Sequence, residues 1–199
     1  MCKQCETNPV YEFTNQRKLC RTCFLRYFQK KVLYTIKKFS MIEKEDVIYY
    51  ENLKDFRDAV LDDVLKMFVE RVSLVYIRLK KKFPERIVKS SLHKKNKIAI
   101  SSTIDFEAKE IVRILIKGKV LELKRISPVE NQKSKIIIKP LYLFLDKEVL
   151  LYAKLKKLKF KKSKPENDDI SLFIDELEET HPEIQRAVVN SFLKLYSQK

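Results

Sequence analysis

Glycine is almost missing from this sequence: 199 residues hold one. An average chain of this length holds about 14. Loops that cradle a phosphate need glycine, because the backbone itself must come close to the anion. A glycine-rich P-loop and a dinucleotide turn are therefore both excluded. The one glycine, Gly118, follows the helical pattern IVRILIK, where a left-handed cap is expected. Histidine is nearly as scarce. His93 and His181 lie far apart in the sequence, so no paired-His metal motif exists and nothing suggests a Ser/His/Asp triad. His181 precedes Pro182 and reads as a structural residue at a helix start. No apolar run approaches the roughly 18 residues of a membrane span. The opening MCKQCETNP is no signal peptide. These absences lead us to expect a cytoplasmic protein in a reducing compartment, without a membrane partner.

Cysteine is confined to one place. Cys2-Lys3-Gln4-Cys5 and Cys20-Arg21-Thr22-Cys23 are two CxxC knuckles, and no cysteine follows. Four thiolates in that arrangement can close a tetrahedral zinc site, here structural, with backbone N–H groups supporting the sulfurs. Disulfides or free thiols are the alternatives, and the reducing compartment argues against the first. Between the knuckles, Val10–Thr14 and Lys18-Leu19 read as the hairpin strands of a zinc ribbon. What the chain has in excess is positive charge. Lys and Arg number 43 against 27 Asp and Glu, a net +16. A protein this basic usually meets a polyanion, with nucleic acid the first candidate and an anionic membrane surface the second. An AT-rich coding bias toward lysine accounts for part of the charge.

After the ribbon, Leu25, Phe28, Val32, Ile36 and Phe39 recur at helical spacing. Arg26, Lys30, Lys31, Lys37 and Lys38 crowd the rest of that helix, which makes it a phosphate-backbone reader or a merely solvated face. Val47–Tyr50, Val72–Ile77 and Lys97–Ile100 read as strands. Phe56–Phe68 reads as a helix, a short helix is expected after Pro84, and Ser102 or Thr103 is placed to cap another. SPVENQKSK reads as a polar link to a strand at Ile136–Ile138. Asp146 is placed to cap a helix that ends in a lysine run, with seven lysines between Lys154 and Lys164. Two more helices, Ile170–Glu179 and Pro182–Tyr196, close the chain. Strands alternating with helices predict an α/β fold with a mostly parallel sheet.

Three stretches, in order, resemble the tRNA 2-thiolation proteins, a branch of the PP-loop ATP pyrophosphatases (adenine nucleotide alpha hydrolase-like). CKQCETNPVYEF…LCRTCFLRYFQKKVLYTIKKFSMI is similar to the family's N-terminal zinc ribbon and linking helix. KPLYLFLDKEVLLYAKLKKLKF resembles an internal segment, matching at Lys139, Pro140, Leu141, Lys147, Glu148, Tyr152 and Ala153. FIDELEETHPEIQRAVVNSFLKL resembles the closing helices, matching at Leu177, Glu178, His181 and Pro182. The resemblance implies a zinc ribbon and basic linking helix over 1–40, a reduced PP-loop parallel-sheet domain over 41–162, and a C-terminal helical segment over 163–199.

The chemistry-bearing motifs depart from the family. Its ATP loop is Ser-Gly-Gly-Lys-Asp-Ser; Glu51-Asn52-Leu53-Lys54-Asp55-Phe56 stands there. Lys54 and Asp55 persist, while Glu51 adds a negative charge where pyrophosphate would sit. The second motif is replaced by Ala99-Ile100-Ser101-Ser102-Thr103-Ile104-Asp105-Phe106-Glu107-Ala108. It keeps Ala99, Asp105, Glu107 and Ala108 and loses its Gly-His pair. Near Ser163, where active members carry a core cysteine, the sequence is KKSKPEND. ATP is not expected, and Lys54, Asp55 and Asp105 are the remnant of a degenerate nucleotide loop. The chain thus resembles the family's non-catalytic sister subunit, a pseudoenzyme of the cytoplasmic tRNA 2-thiolation protein 2 kind. As such it would have no catalytic residues of its own and would bind tRNA and a catalytic PP-loop tRNA thiolase subunit as a heterodimer. The implied metal ligands are Cys2, Cys5, Cys20 and Cys23. The implied RNA contacts are Arg21, Arg26, Lys30, Lys31, Lys37, Lys38, Lys156, Lys157, Lys161 and Lys162. Two alternatives stay open: a stand-alone zinc-ribbon RNA-binding or scaffold protein, and an active ATP-dependent tRNA thiolase.

Overall fold

The chain begins with a ribbon rather than with the sheet. In the computed structural model, strands β1 (Tyr11–Glu12) and β2 (Lys18–Leu19) pair antiparallel. The Phe13 N–H donates to the Arg17 carbonyl at 2.9 Å to close the turn, and Gln16 takes a left-handed φ of 61°. Residues 1–51, 55–70, 72–76, 96–132, 135–161 and 168–196 are described. Lys54, the end of the second expected strand at Ile77, the expected helix after Pro84, His93, Lys162 and Ser163 fall outside them.

Helix α1 (Arg21–Lys38) leaves the ribbon directly from the second knuckle. Its apolar stripe buries Phe24, Phe28, Val32 and Ile36, the face that helical spacing predicts. Phe28 stacks on Tyr152 at 4.0 Å and tilts against Phe144 at 4.3 Å, so the ribbon helix is anchored on the sheet domain by aromatic rings.

Among the described residues the sheet has five strands in the order β4-β3-β5-β7-β6. These are β3 (Val47–Tyr50), β4 (Ser73–Tyr76), β5 (Asn96–Ala99), β6 (Val129–Gln132) and β7 (Lys135–Ile138). β4, β3, β5 and β7 run parallel, with Ile48 opposite both Leu74 and Lys97. β6 pairs antiparallel with β7 at the edge. The stretch expected to be a polar link therefore contains a strand. Its Glu130, Asn131 and Gln132 hid the strand pattern, and a polar edge discourages pairing with other chains.

Helices α2 (Phe56–Leu65) and α4 (Asp146–Leu155) join α1 and the sheet residues Ile48, Tyr50, Ala99 and Ile138 in one core. A second core gathers α3 (Ile104–Ile116), a 3-10 stretch at Val120–Ile126, and α6 (Ile184–Tyr196) around Tyr142. Helix α5 (Asp169–Thr180) precedes α6. Gly118 has φ 66°, and Lys119 N–H reaches back to the Ile114 carbonyl at 3.0 Å. This is the left-handed cap that its position predicts.

Two expected caps are corrected. Thr103 does precede α3, but its hydroxyl donates to Asp146 Oδ1 at 2.7 Å, and the Ser102 hydroxyl goes to Glu107. Leu145, not Asp146, precedes α4. Its N–H is taken by the Glu148 carboxylate at 2.9 Å.

Glu148 is fully buried and holds three helices together. Lys31 of α1 donates to it at 3.0 Å, Arg186 of α6 at 3.1 Å, and the Tyr27 hydroxyl at 3.1 Å. Burial alone would raise its pKa, but the two cations and the Leu145 N–H hold it below the ordinary carboxylate range. Removing one partner of such a cluster leaves buried charge uncompensated. Glu148→Gln is expected to cost about 3–5 kcal/mol in urea unfolding at neutral pH. A group with a depressed folded pKa stabilises above its unfolded value and loses that as pH falls. The gap between wild type and variant should therefore shrink below about pH 4.5.

Candidate metal centre and nucleic-acid interface

The two knuckles come together as the sequence requires. The sulfur atoms of Cys2, Cys5, Cys20 and Cys23 all lie within 4.8 Å of one another. Cys5 Sγ is 3.3 Å from Cys20 Sγ and 3.7 Å from Cys23 Sγ. Four thiolates around one zinc-sized ion at about 2.3 Å stand roughly 3.8 Å apart. The donor set and its spread therefore fit a single tetrahedral ion. A cubane cluster places four irons and four sulfides between its thiolates and holds them further apart. Local backbone builds the site. Glu6, in a left-handed conformation with φ 57°, donates its N–H to the Cys2 carbonyl, and Cys20 stands at the start of α1. The Cys20 thiol is pulled down to about 6, chiefly by the Thr7 hydroxyl and then by the Cys23 N–H. The Cys2 thiol is lowered first by the Gln4 N–H. Burial pushes Cys23 up to about 12, a cost that a bound cation removes.

The expected RNA contacts separate into two kinds. Arg26, Lys30, Lys37 and Lys38 are exposed on α1, together with Leu33 and Tyr34. The Lys38 ammonium lies 5.8 Å from the Tyr34 ring. Arg21 is exposed but donates to the Leu155 carbonyl at 2.8 Å. Lys156 pairs with Asp63 at 3.5 Å, while Lys157 and Lys161 are exposed. Lys31 is the exception and corrects its place among the surface cations. It turns inward to Glu148, and burial lowers its pKa to about 8.

Of the stretch expected to be a degenerate nucleotide loop, Glu51, Asp55 and Phe56 are described and follow β3. Asp55 precedes α2 and accepts the Phe56 N–H at 2.6 Å, so a carboxylate already occupies the helix N-terminus. Arg57 pairs with Asp146 at 2.5 Å and with Asp55 at 3.6 Å. Asp105 accepts the Asp146 N–H at 2.8 Å. Burial, then the charge of Asp146, raises Asp105 to about 7. Glu107 receives Lys139 at 2.7 Å, and both are buried. That contact links two matched segments and went unseen in the sequence, where only a Glu and a Lys in separate motifs hinted at it. His181 is exposed, and its N–H closes α5 on the Leu177 carbonyl at 2.8 Å. It ends one helix, and its carbonyl takes the Ile184 N–H at the start of the next at 2.9 Å.

No protein-family model and no curated protein matches this chain. A solved structure does. U34-tRNA thiolase NcsA from Methanococcus maripaludis, with its [4Fe-4S] cluster, superposes at a TM-score of 0.72. The match covers 98% of this chain and 86% of that one, at 18% sequence identity. This chain has the fold of a tRNA thiolase. The likeness corrects the expectation of a pseudoenzyme: the protein that shares the fold over nearly the whole chain is an enzyme, and altered loop residues do not by themselves abolish chemistry. No helix among the described residues is long and apolar enough to cross a membrane.

Two outcomes test this geometry. Cys20→Ser should lower bound metal from about one equivalent per chain to near zero by elemental analysis, and should lower the Tm. For Asp105, a raised folded pKa means that stability falls as pH rises from the unfolded value of about 3.9 toward 7. Asp105→Asn keeps an acceptor for Asp146 N–H and removes the charge. It should be more stable than wild type by at most about 4 kcal/mol at pH 8, with the advantage gone near pH 4.

Proposed function

We propose that this chain is a tRNA-binding component of wobble-uridine (U34) 2-thiolation, acting in the cytoplasm beside a PP-loop thiolase subunit. The observation that carries the reading is the thiolase fold over 98% of the chain. A basic stripe, Arg26, Lys30, Lys37 and Lys38, lies on the helix that leaves the metal site. The net charge of +16 supports a polyanionic partner. The exposed Tyr34 among these cations offers an unpaired base a ring to stack on. Zinc is the proposed metal. All four cysteines of the chain lie in one cluster, and their spread suits one ion. Protein purified without air should carry zinc and lack the brown absorbance of an iron–sulfur cluster. Iron and sulfide in cluster stoichiometry would assign the site otherwise.

Charge reversal at Arg26, Lys30, Lys37 and Lys38 should weaken tRNA binding for every tRNA tested and flatten its dependence on salt. An unchanged salt slope removes α1 from the interface. Deleting the chain from its native source should lower 2-thiolated U34, and affinity purification should recover tRNA with a second PP-loop chain. Normal thiolation in the deletion strain overturns the reading and favours a stand-alone RNA-binding protein.

A further inference from the structure

A cleft of about 260 Å³ opens between the ribbon turn, α1 and the start of α6. Tyr11, Phe13 and Tyr27 form an aromatic wall, with Phe13 edge-on to Tyr27 at 5.0 Å. Arg17 sits in this wall, its guanidinium 4.1 Å from the Phe13 ring centroid and 5.3 Å from that of Tyr27. Each other charge lining the cleft has an opposite partner. Glu12 pairs with Lys18, Lys147 with Glu178, and Arg186 with Glu148 and Glu183. Arg17 has no carboxylate among the described residues, and its Nε is buried without a hydrogen-bond partner. A guanidinium so placed forfeits hydration that ring contacts replace only in part. An anion on its free N–H groups would complete it, and the rings beside it suit a flat, unsaturated group. Arg26 and Lys30 flank Tyr27 on the same helix and face solvent. A wider groove of about 580 Å³, sharing Thr14 and Glu183, continues past His181 and Pro182, so a chain can leave the cleft.

We propose that this cleft receives one unpaired nucleotide of the bound RNA, its base against the aromatic wall and its phosphate on Arg17. The inference rests on the RNA-binding reading above. It separates single-strand recognition in the cleft from duplex-backbone contact on α1.

The test compares a short blunt-ended RNA hairpin with the same hairpin carrying a few unpaired 3′ nucleotides, by fluorescence anisotropy on the full chain. The unpaired nucleotides should tighten wild-type binding about 10-fold. Arg17→Gln should abolish that gain and leave affinity for the blunt hairpin within about twofold. Arg17→Lys keeps the charge but not the planar fork, and should also lose most of the gain. Phe13→Leu keeps the guanidinium and should lose part of it. Metal content equal to wild type certifies that each ribbon is folded. If the wild type binds both RNAs equally, or the Arg17 variants weaken both alike, the cleft is not a nucleotide site. If the wild type binds neither RNA, the RNA-binding reading falls as well. Arg17-dependent binding of free adenosine monophosphate, with no gain from the unpaired nucleotides, also overturns the assignment to RNA.

Discussion

Glu148 is the group on which the arrangement of this molecule depends. Its carboxylate gathers the Leu145 N–H, the Tyr27 hydroxyl, Lys31 and Arg186 at one point with no exposure to water. Those donors come from the start of α4, from α1 and from α6. A buried ion cluster is a poor source of net stability against a well-packed apolar alternative. What it supplies is position, because each donor must reach the same two oxygens. The ribbon's helix is thereby fixed against the sheet domain, and the C-terminal helices are fixed against both. Stacking of Phe28 on Tyr152 and Phe144 fills the space beside the cluster and contributes the apolar part of the same joint.

The C-terminal edge of the sheet is built by a different balance. Asp55, Asp105 and Asp146 converge there, and Arg57 answers two of them. Asp105 escapes the crowding by holding its proton to about pH 7. Two residues of the stretch that resembles the family's second motif have structural roles. Asp105 accepts a backbone N–H of α4, and Glu107 holds Lys139 in the interior. Persistence of a motif residue is therefore no measure of surviving nucleotide chemistry here, and its loss elsewhere is no measure of inactivity.

Much of the fold was legible from residue spacing. The two knuckles, the apolar stripe of α1, the buried VIYY strand and the single glycine cap all follow from local rules that act within one or two turns of chain. Three things were not legible. Strand β6 is polar because it lies at an edge. Lys31 looks like its neighbour Lys30 and differs only in what faces it. The hydroxyls of Ser102 and Thr103 are placed to cap α3 but bond to carboxylates elsewhere. Ser102 turns to Glu107, only five residues on, and β6 pairs with the adjacent β7; for Lys31 and Thr103 the deciding partner is distant in sequence. The pairing of Glu107 with Lys139 failed to show for the same reason. The clustering of the four cysteines was legible because it is carried by residue type and spacing alone.

The four-cysteine cluster acts on the rest of the molecule through the hairpin it closes. Cys2 and Cys5 tie one end of the ribbon to Cys20 and Cys23 at the start of α1, and this sets how β1 and β2 lie on that helix. The turn between those strands carries Phe13 and Arg17, and both reach Tyr27. Tyr27 in turn donates to Glu148. A continuous line of contacts therefore runs from the thiolates, through the aromatic wall, to the buried carboxylate that positions three helices. The four-cysteine cluster is thus placed to set the position of Phe13 and Arg17 through the hairpin it closes.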